Sequence, residues 1–407
     1  MLFSSGFVFF KTPFEFYFHY LLFLIIVPFF FIKNGVPMFI IKILTIPLIV
    51  GLIHLTFGNN QYFTFIKVFG GIILTLFFSS TWINLFNYNI FKIFTWYCKA
   101  SWLLVLIAYI QILSFLLGFK AGYDFSWFLN KWGFVEGGII GFRVNSLLSE
   151  PTYLATSLAP AIYLSCKSLL SKKKIIFNKI QSILIIIVGV LTTSTVGYLG
   201  ILISVLLCTD TIKLRYIILG LIITTFSFYL LYNNVNDFKI RTDAAKGLWF
   251  ENDFRIHNTN NSSFVLYNNL HIAKESLLKN PIFGTGLGSH ETAFKKFTLT
   301  KSLIQYDFEF NVKDGNSLFI RLCTETGLLG LSFVILIIIR GFIYKVDEQN
   351  DVLLKRKIIS QSIFVLLILV LIRQGNYMLN GLPLLFLLYY YNGVQYKNEL
   401  SNLNPDD

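Results

Sequence analysis

The chain has 407 residues, of which 55% are hydrophobic and 14% charged, and its formal net charge is +13. A water-soluble domain carries roughly 25% charged residues, so this composition excludes an ordinary aqueous fold and requires lipid as part of the solvent. The basic residues are scattered or gathered in short turns between apolar runs, which fits anionic headgroups and helix orientation and speaks against a nucleic-acid partner.

Taken in order, apolar runs suited to a bilayer lie near 15–33, 37–57, 62–80, 89–118, 151–168, 181–193, 195–209, 214–232, 317–344, 359–374 and 377–392. A straight crossing takes about 20 residues, and several runs are shorter, so the expected fold is an all-α polytopic membrane protein with about 11 (10–12) transmembrane helices. The N-terminal residues lack the signal-peptide order of basic region, short apolar core and cleavage site, so insertion through uncleaved helices is expected. Cys98, Cys166, Cys208 and Cys323 have no metal-ligand spacing and read as small apolar fillers.

The turns KSLLSKKKIIFNK (167–179) and VLLKRK (352–357) are densely basic and should face the cytoplasm. Alternation from these anchors puts 119–150, the turn at 194–197, the long segment 233–316 and the turn at 373–377 on the outer side. The chain thus divides into helices and an outer loop over 1–232, a large outer loop with amphipathic helices over 233–316, and helices with a cytoplasmic tail over 317–407. Within the large loop, Leu266, Leu270, Ala273 and Leu277 follow a helical period and predict a helix on or near the membrane face.

Polar residues gather at the expected outer mouths of these runs. In RVNSLLSEPTYLA, Ser149 is placed to cap a helix, and Glu150 and Pro151 suit its first turn, where the helix dipole favours a carboxylate. Arg143 is free to fold over the same mouth. Either Arg143 and Glu150 orient the loop by pairing, with Arg143 also able to reach lipid phosphate, or they bind substrate or take part in chemistry.

In LTTSTVGYLG (191–200), close helix packing accounts for the small residues, while Ser194 and Tyr198 are secondary candidates for substrate contact. NPIFGTGLGSH (280–290) either exposes backbone amides to a phosphate or sugar oxygen or is a glycine turn at the membrane surface. His290, just beyond, is a candidate base or an ordinary surface histidine.

DGNSLFIRLCTETGLLG (314–330) starts a helix at Asp314, Asn316 and Ser317, and carries Arg321 and Glu325 four residues apart on one face. Such a pair inside a membrane helix is structural, lines water or binds a ligand. Arg373, Arg241 and Arg255 add further cations to the expected outer side. Several arginines on one face suit an anionic, lipid-attached group, because guanidinium forks match phosphate oxygens; no metal-ligand motif accompanies them, and no metal or other cofactor is implied.

These blocks give the chain a resemblance to the O-antigen polymerase and O-antigen ligase superfamily of bacterial inner-membrane proteins. It is carried by RVNSLLSEP, TTSTVG, PIFGTG and GNSLFIRLCTETGLLG, together spanning about residues 140–345. The resemblance implies a GT-C-like, metal-independent glycosyltransferase of the bacterial inner membrane, with its active site facing the periplasm. Its donor would be an oligosaccharide on undecaprenyl diphosphate, with arginines holding the diphosphate and a base activating the acceptor hydroxyl.

Where the family often has His before Asn, this chain has Gly315. The base is then Glu150 or His290, or the hydroxyl needs little help. The leading expectation is a repeat-unit polymerase working beside a flippase and a chain-length regulator. Its rivals are a ligase that moves finished polymer to lipid A-core or protein, and a transporter of lipid-linked oligosaccharide.

Overall fold

The computed structural model describes residues 5–10, 16–171, 175–208, 225–226, 228–230, 232–234, 236–251, 261–301, 311–346, 349–378 and 381–403. A short antiparallel hairpin, β1 (Val8–Phe10) and β2 (Phe16–Tyr17), precedes a helical body. The first group of helices is α1 (Phe18–Asn34), α2 (Met38–Thr56), α3 (Tyr62–Leu85) and α4 (Ile90–Leu116). After the one-turn α5 (Lys120–Tyr123) come α6 (Pro151–Ser171), α7 (Lys179–Leu191) and α8 (Thr195–Leu207).

The large loop contributes α9 (Asn236–Phe250), α10 (Asn261–Lys279) and α11 (His290–Phe297). The chain then returns through α12 (Leu318–Gly341), α13 (Asp351–Arg373) and α14 (Leu382–Leu403). Among the described residues, α2, α3, α4 and α12 are long and apolar enough to cross a membrane, and α1, α7 and α8 contain shorter apolar helices. The chain is therefore an all-α protein of membrane-embedded character; most of the apolar run near 214–232 lies outside the described residues.

The core is built around α6, which is buried along nearly its whole length and packs on α7, α8 and α13. Small side chains make this close approach feasible: Gly189 and Gly197 face Ile162 and Ala155 of α6. All four cysteines are free and buried, as expected of apolar fillers.

The connections sort onto two ends of this bundle. At one, Val144 N donates to Leu191 O (3.2 Å), Gln374 Nε2 to Thr156 Oγ1 (3.1 Å), Ser317 Oγ to Leu371 O (2.7 Å) and Asn60 Nδ2 to Leu287 O (2.9 Å). At the other, Arg356 forks onto Glu399, and Gln395 Nε2 donates to Tyr88 O (2.9 Å). The outer segments named from charge alternation thus share the first end, the mouth, while the basic helix start at 352–357 lies at the opposite end.

Helix α10 covers the residues expected to be helical near 262–280. Its Leu266, Ala273 and Leu277 pack on the main core, but Leu270 is exposed. The expected four-residue stripe is thus corrected to three, because the buried face turns through Val265, Asn269 and Ile272. A second small core of Phe264, Ile272 and Phe294 ties α10 to α11.

What fixes this loop to the bundle is a break in α12. Gly327 has φ 60° and ψ −160°, outside the helical region, in a region open essentially to glycine alone. The freed carbonyls are taken by the glycine block: Thr285 N donates to Thr324 O (3.2 Å) and Gly286 N to Glu325 O (2.8 Å). The freed amides are taken in return, Leu328 N donating to Pro281 O (2.8 Å) and Leu329 N to Ile282 O (3.0 Å).

A side chain at either partner glycine would prevent the match. A Cβ on Gly284 would lie 2.6 Å from Glu325 C, Thr326 N and Gly327 N, and one on Gly327 would lie 2.6 Å from Gly284 N. Gly327→Ala should therefore cost more than the roughly 1–3 kcal/mol of such backbone strain alone, seen as a clear fall in melting temperature in detergent. Gly70→Ala, where a Cβ meets nothing within 4 Å, should leave the melting temperature level or slightly higher.

Candidate functional site

Arg143 reaches the mouth from a tight hairpin. Gly137 N donates to Gly141 O (3.0 Å) and Arg143 N to Val135 O (2.9 Å), while Gly137, Gly138 and Gly141 all take positive φ. Gly138 is required there, because its Cβ would lie 2.6 Å from Thr193 Oγ1. The guanidinium is half-buried, and its Nε donates to Thr192 O (3.2 Å). The arginine block and the TTSTVG turn are thereby laid side by side. Among the described residues Arg143 forms no close ion pair, although Glu150 and Tyr198 lie within its electrostatic reach.

Glu150 stands immediately before α6, its backbone carbonyl accepting from Leu154 N (3.2 Å). It takes the cap position itself. The cap expected from Ser149 is corrected: the Ser149 hydroxyl is buried with no hydrogen-bond partner, and its amide is held by Ser5 Oγ (3.3 Å).

Glu150 is exposed, with the protein around it still partly desolvating its carboxyl. That surrounding protein raises its pKa above the ordinary carboxylate range, and the carboxylate of Asp314 adds to the rise. Lys131 and Arg143 oppose it. One carboxyl is thus held between two cations and a second carboxylate, a setting that keeps it more basic than an isolated glutamate.

Deeper in the mouth, Arg321 and Glu325 form a closed structural cycle. Arg321 Nε donates to Glu325 Oε1 and Nη1 to Gly375 O, each at 2.8 Å. The guanidinium lies over the Tyr377 ring, 4.4 Å from its centroid, and Tyr377 OH donates to Glu325 Oε2 (3.0 Å). Of the alternatives open to this pair, the geometry is that of an internal clamp that fastens the 373–377 turn to α12.

His290 is fully buried, which corrects the surface placement weighed for it. Its Nε2 pairs with the Asn269 side-chain oxygen (3.2 Å) and its Nδ1 with Thr324 Oγ1 (3.1 Å). Burial first, and then the Arg321 cation, push its pKa down to about 3. A Cβ on Gly315 would lie 2.9 Å from His290 Nε2, so this imidazole fills the space that a side chain at 315 would enter. The glycine block offers Thr285 and Gly286 amides to α12, not to a ligand.

The other candidates divide. Ser194 is buried and donates to Thr152 Oγ1 (3.4 Å), a packing contact, whereas Tyr198 is exposed beside Arg143. Asn316 follows Asp314, whose Oδ1 accepts from its amide (3.0 Å), and Arg373 ends α13 at the mouth. Arg241 sits on α9 with its side chain outside the described residues, and Arg255 lies outside them altogether.

Sequence reasoning did not single out Lys131 or Tyr377, and read Asp314 only as part of a helix start. The cap there is Ser317, whose Oγ accepts from Ile320 N (3.3 Å). Among the described residues no three His, Cys, Asp or Glu side chains come together as a ligand set.

The fold and the mouth define an all-α protein of membrane-embedded character with charged residues gathered at one end of its bundle. No protein-family model matches the chain, and no curated protein sequence matches it.

Two outcomes follow from this geometry. Removing one partner of the buried pair strands the other, so Arg321→Met or Glu325→Leu alone should cost about 3–5 kcal/mol, and the double variant less than their sum, in a thermal-unfolding cycle. Any activity that uses the ionised Glu150 should fall as pH drops through a midpoint above the ordinary carboxylate range. Asp314→Asn should move that midpoint down, because it removes a cause of the rise; the pH profile of turnover measures it.

Proposed function

We propose that the chain is a metal-independent membrane glycosyltransferase that polymerises the repeat units of O-antigen or a related surface polysaccharide. It crosses the bacterial inner membrane about eleven times with the mouth toward the periplasm, in a GT-C-like arrangement. The donor is a glycan on undecaprenyl diphosphate and the acceptor another lipid-linked repeat unit.

The observation that carries this reading is convergence. The four sequence blocks of the resemblance, spread over about 140–345, meet at one end of the bundle through Arg143–Thr192, through Glu150 beside Asp314, and through the glycine block docked on α12. Packing of residues 5–10 at that same end agrees with an odd number of crossings and a C-terminal segment on the opposite side.

In this reading Arg143 neutralises the diphosphate leaving group. The acceptor hydroxyl oxygen bonds to the anomeric carbon as the bond from that carbon to the diphosphate oxygen breaks. The electron pair leaves with undecaprenyl diphosphate, and the hydroxyl proton passes to the Glu150 carboxylate. Tyr198 and Asn316 border the mouth as sugar-contact candidates, and Arg373 stands at its rim. The Arg321–Glu325 clamp and buried His290 hold the walls. A flippase supplies the unit and a chain-length regulator limits the product.

Arg143→Ala, expressed in a strain lacking its own copy, should abolish polymer while single repeat units still reach the surface. The surface-glycan ladder on a gel reads this; unchanged chain length would refute the proposal. A ligase would instead leave bare acceptor with polymer trapped on undecaprenyl diphosphate, and a transporter would leave no units at the surface. With purified protein and lipid-linked substrate, Glu150→Gln should lower turnover by roughly 10²–10⁴-fold, the range of general-base contributions.

A further inference from the structure

Residues 5–10 and 16–17 do more than precede the first helix. Ser5 Oγ accepts from Ser149 N (3.3 Å) while Gly6 O accepts from Lys131 N (3.0 Å). Two neighbouring residues therefore bridge the one beside Glu150 to Lys131. Val8 N donates to Asn130 Oδ1 (2.9 Å), and Asn130 Nδ2 donates back to Val8 O (2.5 Å). The fit is close, since a Cβ on Gly6 would lie 2.5 Å from Leu147 O. The N-terminal strand is thus a strap across the outer loop, fixing the separation of the Lys131 and Ser149 backbones through Gly6 O and Ser5 Oγ.

The Lys131 side chain is fixed as well. Its Nζ donates to Tyr17 OH and sits 5.0 Å from the centroid of the same ring. The next residue, Trp132, is buried and its Nε1 donates to Ser146 O (2.8 Å), locking the loop on the Glu150 side. Lysine loses considerable side-chain entropy when immobilised, and an aromatic seat for the ammonium beside a partly desolvated carboxyl is more than solubility requires.

We propose that Lys131 is a second cation of the mouth, gripping with Arg143 the phosphate oxygens of an anionic lipid headgroup beside Glu150, and that Tyr17 on the N-terminal hairpin is its positioning residue. This rests on reading the mouth as a lipid-diphosphate site. One cation carries too little charge to match a diphosphate, whereas two within electrostatic reach of the same carboxyl come closer to it. The charged groups within electrostatic reach of the carboxyl are Lys131, Arg143 and Asp314.

The test uses the full chain in nanodiscs of zwitterionic lipid, with undecaprenyl diphosphate as probe and phosphatidylglycerol as a second anionic lipid. Lys131→Met should weaken undecaprenyl diphosphate binding by about tenfold or more, Lys131→Arg should restore most of it, and Tyr17→Phe should fall between; melting temperatures of the variants report folding separately. Wild-type affinity in Lys131→Met, with binding lost in Arg143→Ala, overturns the role of Lys131 and leaves the proposed function standing. Equal loss for phosphatidylglycerol in Lys131→Met also overturns it, because the lysine then reads any anionic lipid. No binding of undecaprenyl diphosphate by the wild type overturns both readings.

Discussion

A helix that breaks in apolar surroundings must find partners for the backbone groups it frees, and everything at the mouth depends on how α12 does so. At Gly327 the helix opens, and residues 281–286 close it again with two amides given and two received. In hydrocarbon each unsatisfied group would cost several kcal/mol. The glycine block is therefore bound to α12 by necessity, and the large loop that carries it cannot drift from the bundle. The Thr285 and Gly286 amides are consumed in this match and are not offered to a ligand.

From this anchoring the remaining geometry follows. The break sits directly after Glu325, so the Arg321–Glu325 pair lies just on the mouth side of a fixed point, and its remaining contacts reach across to Gly375 and Tyr377. The clamp and the break together pin three chain segments to each other. The charged groups nearer solvent differ in kind. Arg143 has no close ion pair among the described residues, and Glu150 is set between cations without a hydrogen bond to either. Saturated pairing below and, above, an Arg143 without a close ion partner among the described residues is the division expected where rigid walls support a site that must still accept a ligand.

Much of this was legible in the sequence, and what was missed has a common cause. Hydrophobic runs gave the helices because their period and length are local properties; α4 and α12 fall within a few residues of the expected limits. Lysine-rich turns gave an expectation of which connections share an end, since charge near a helix end acts locally too. The position of Glu150 at a helix start was visible from the Pro after it. Long-range matches were not. Nothing in PIFGTG alone says that its partner lies some forty residues on, at a glycine inside another apolar run. Lys131 looks like one basic residue among aromatics until Gly6, Val8 and Tyr17 are seen to meet its loop. Leu270 failed for a simpler reason: the polar Asn269 occupies the buried stripe by bonding to His290, and its neighbour Leu270 lies outside that stripe.

That same Asn269–His290–Thr324 chain decides what can act as a base. The resemblance implies a histidine where this chain has Gly315, and the space over Gly315 holds an imidazole after all, delivered from α11. Location is not function here. Both ring nitrogens are engaged, the ring is sealed from solvent, and burial with a nearby arginine drives its pKa to about 3. A group so reluctant to take a proton is poorly matched to accepting one from a hydroxyl at neutral pH. Glu150 has the opposite character, since its surroundings raise its proton affinity while leaving it exposed. If a base serves the reaction proposed for this mouth, physical chemistry assigns the work to the carboxyl and leaves the imidazole as the brace that holds Gly315 and α12 against α10.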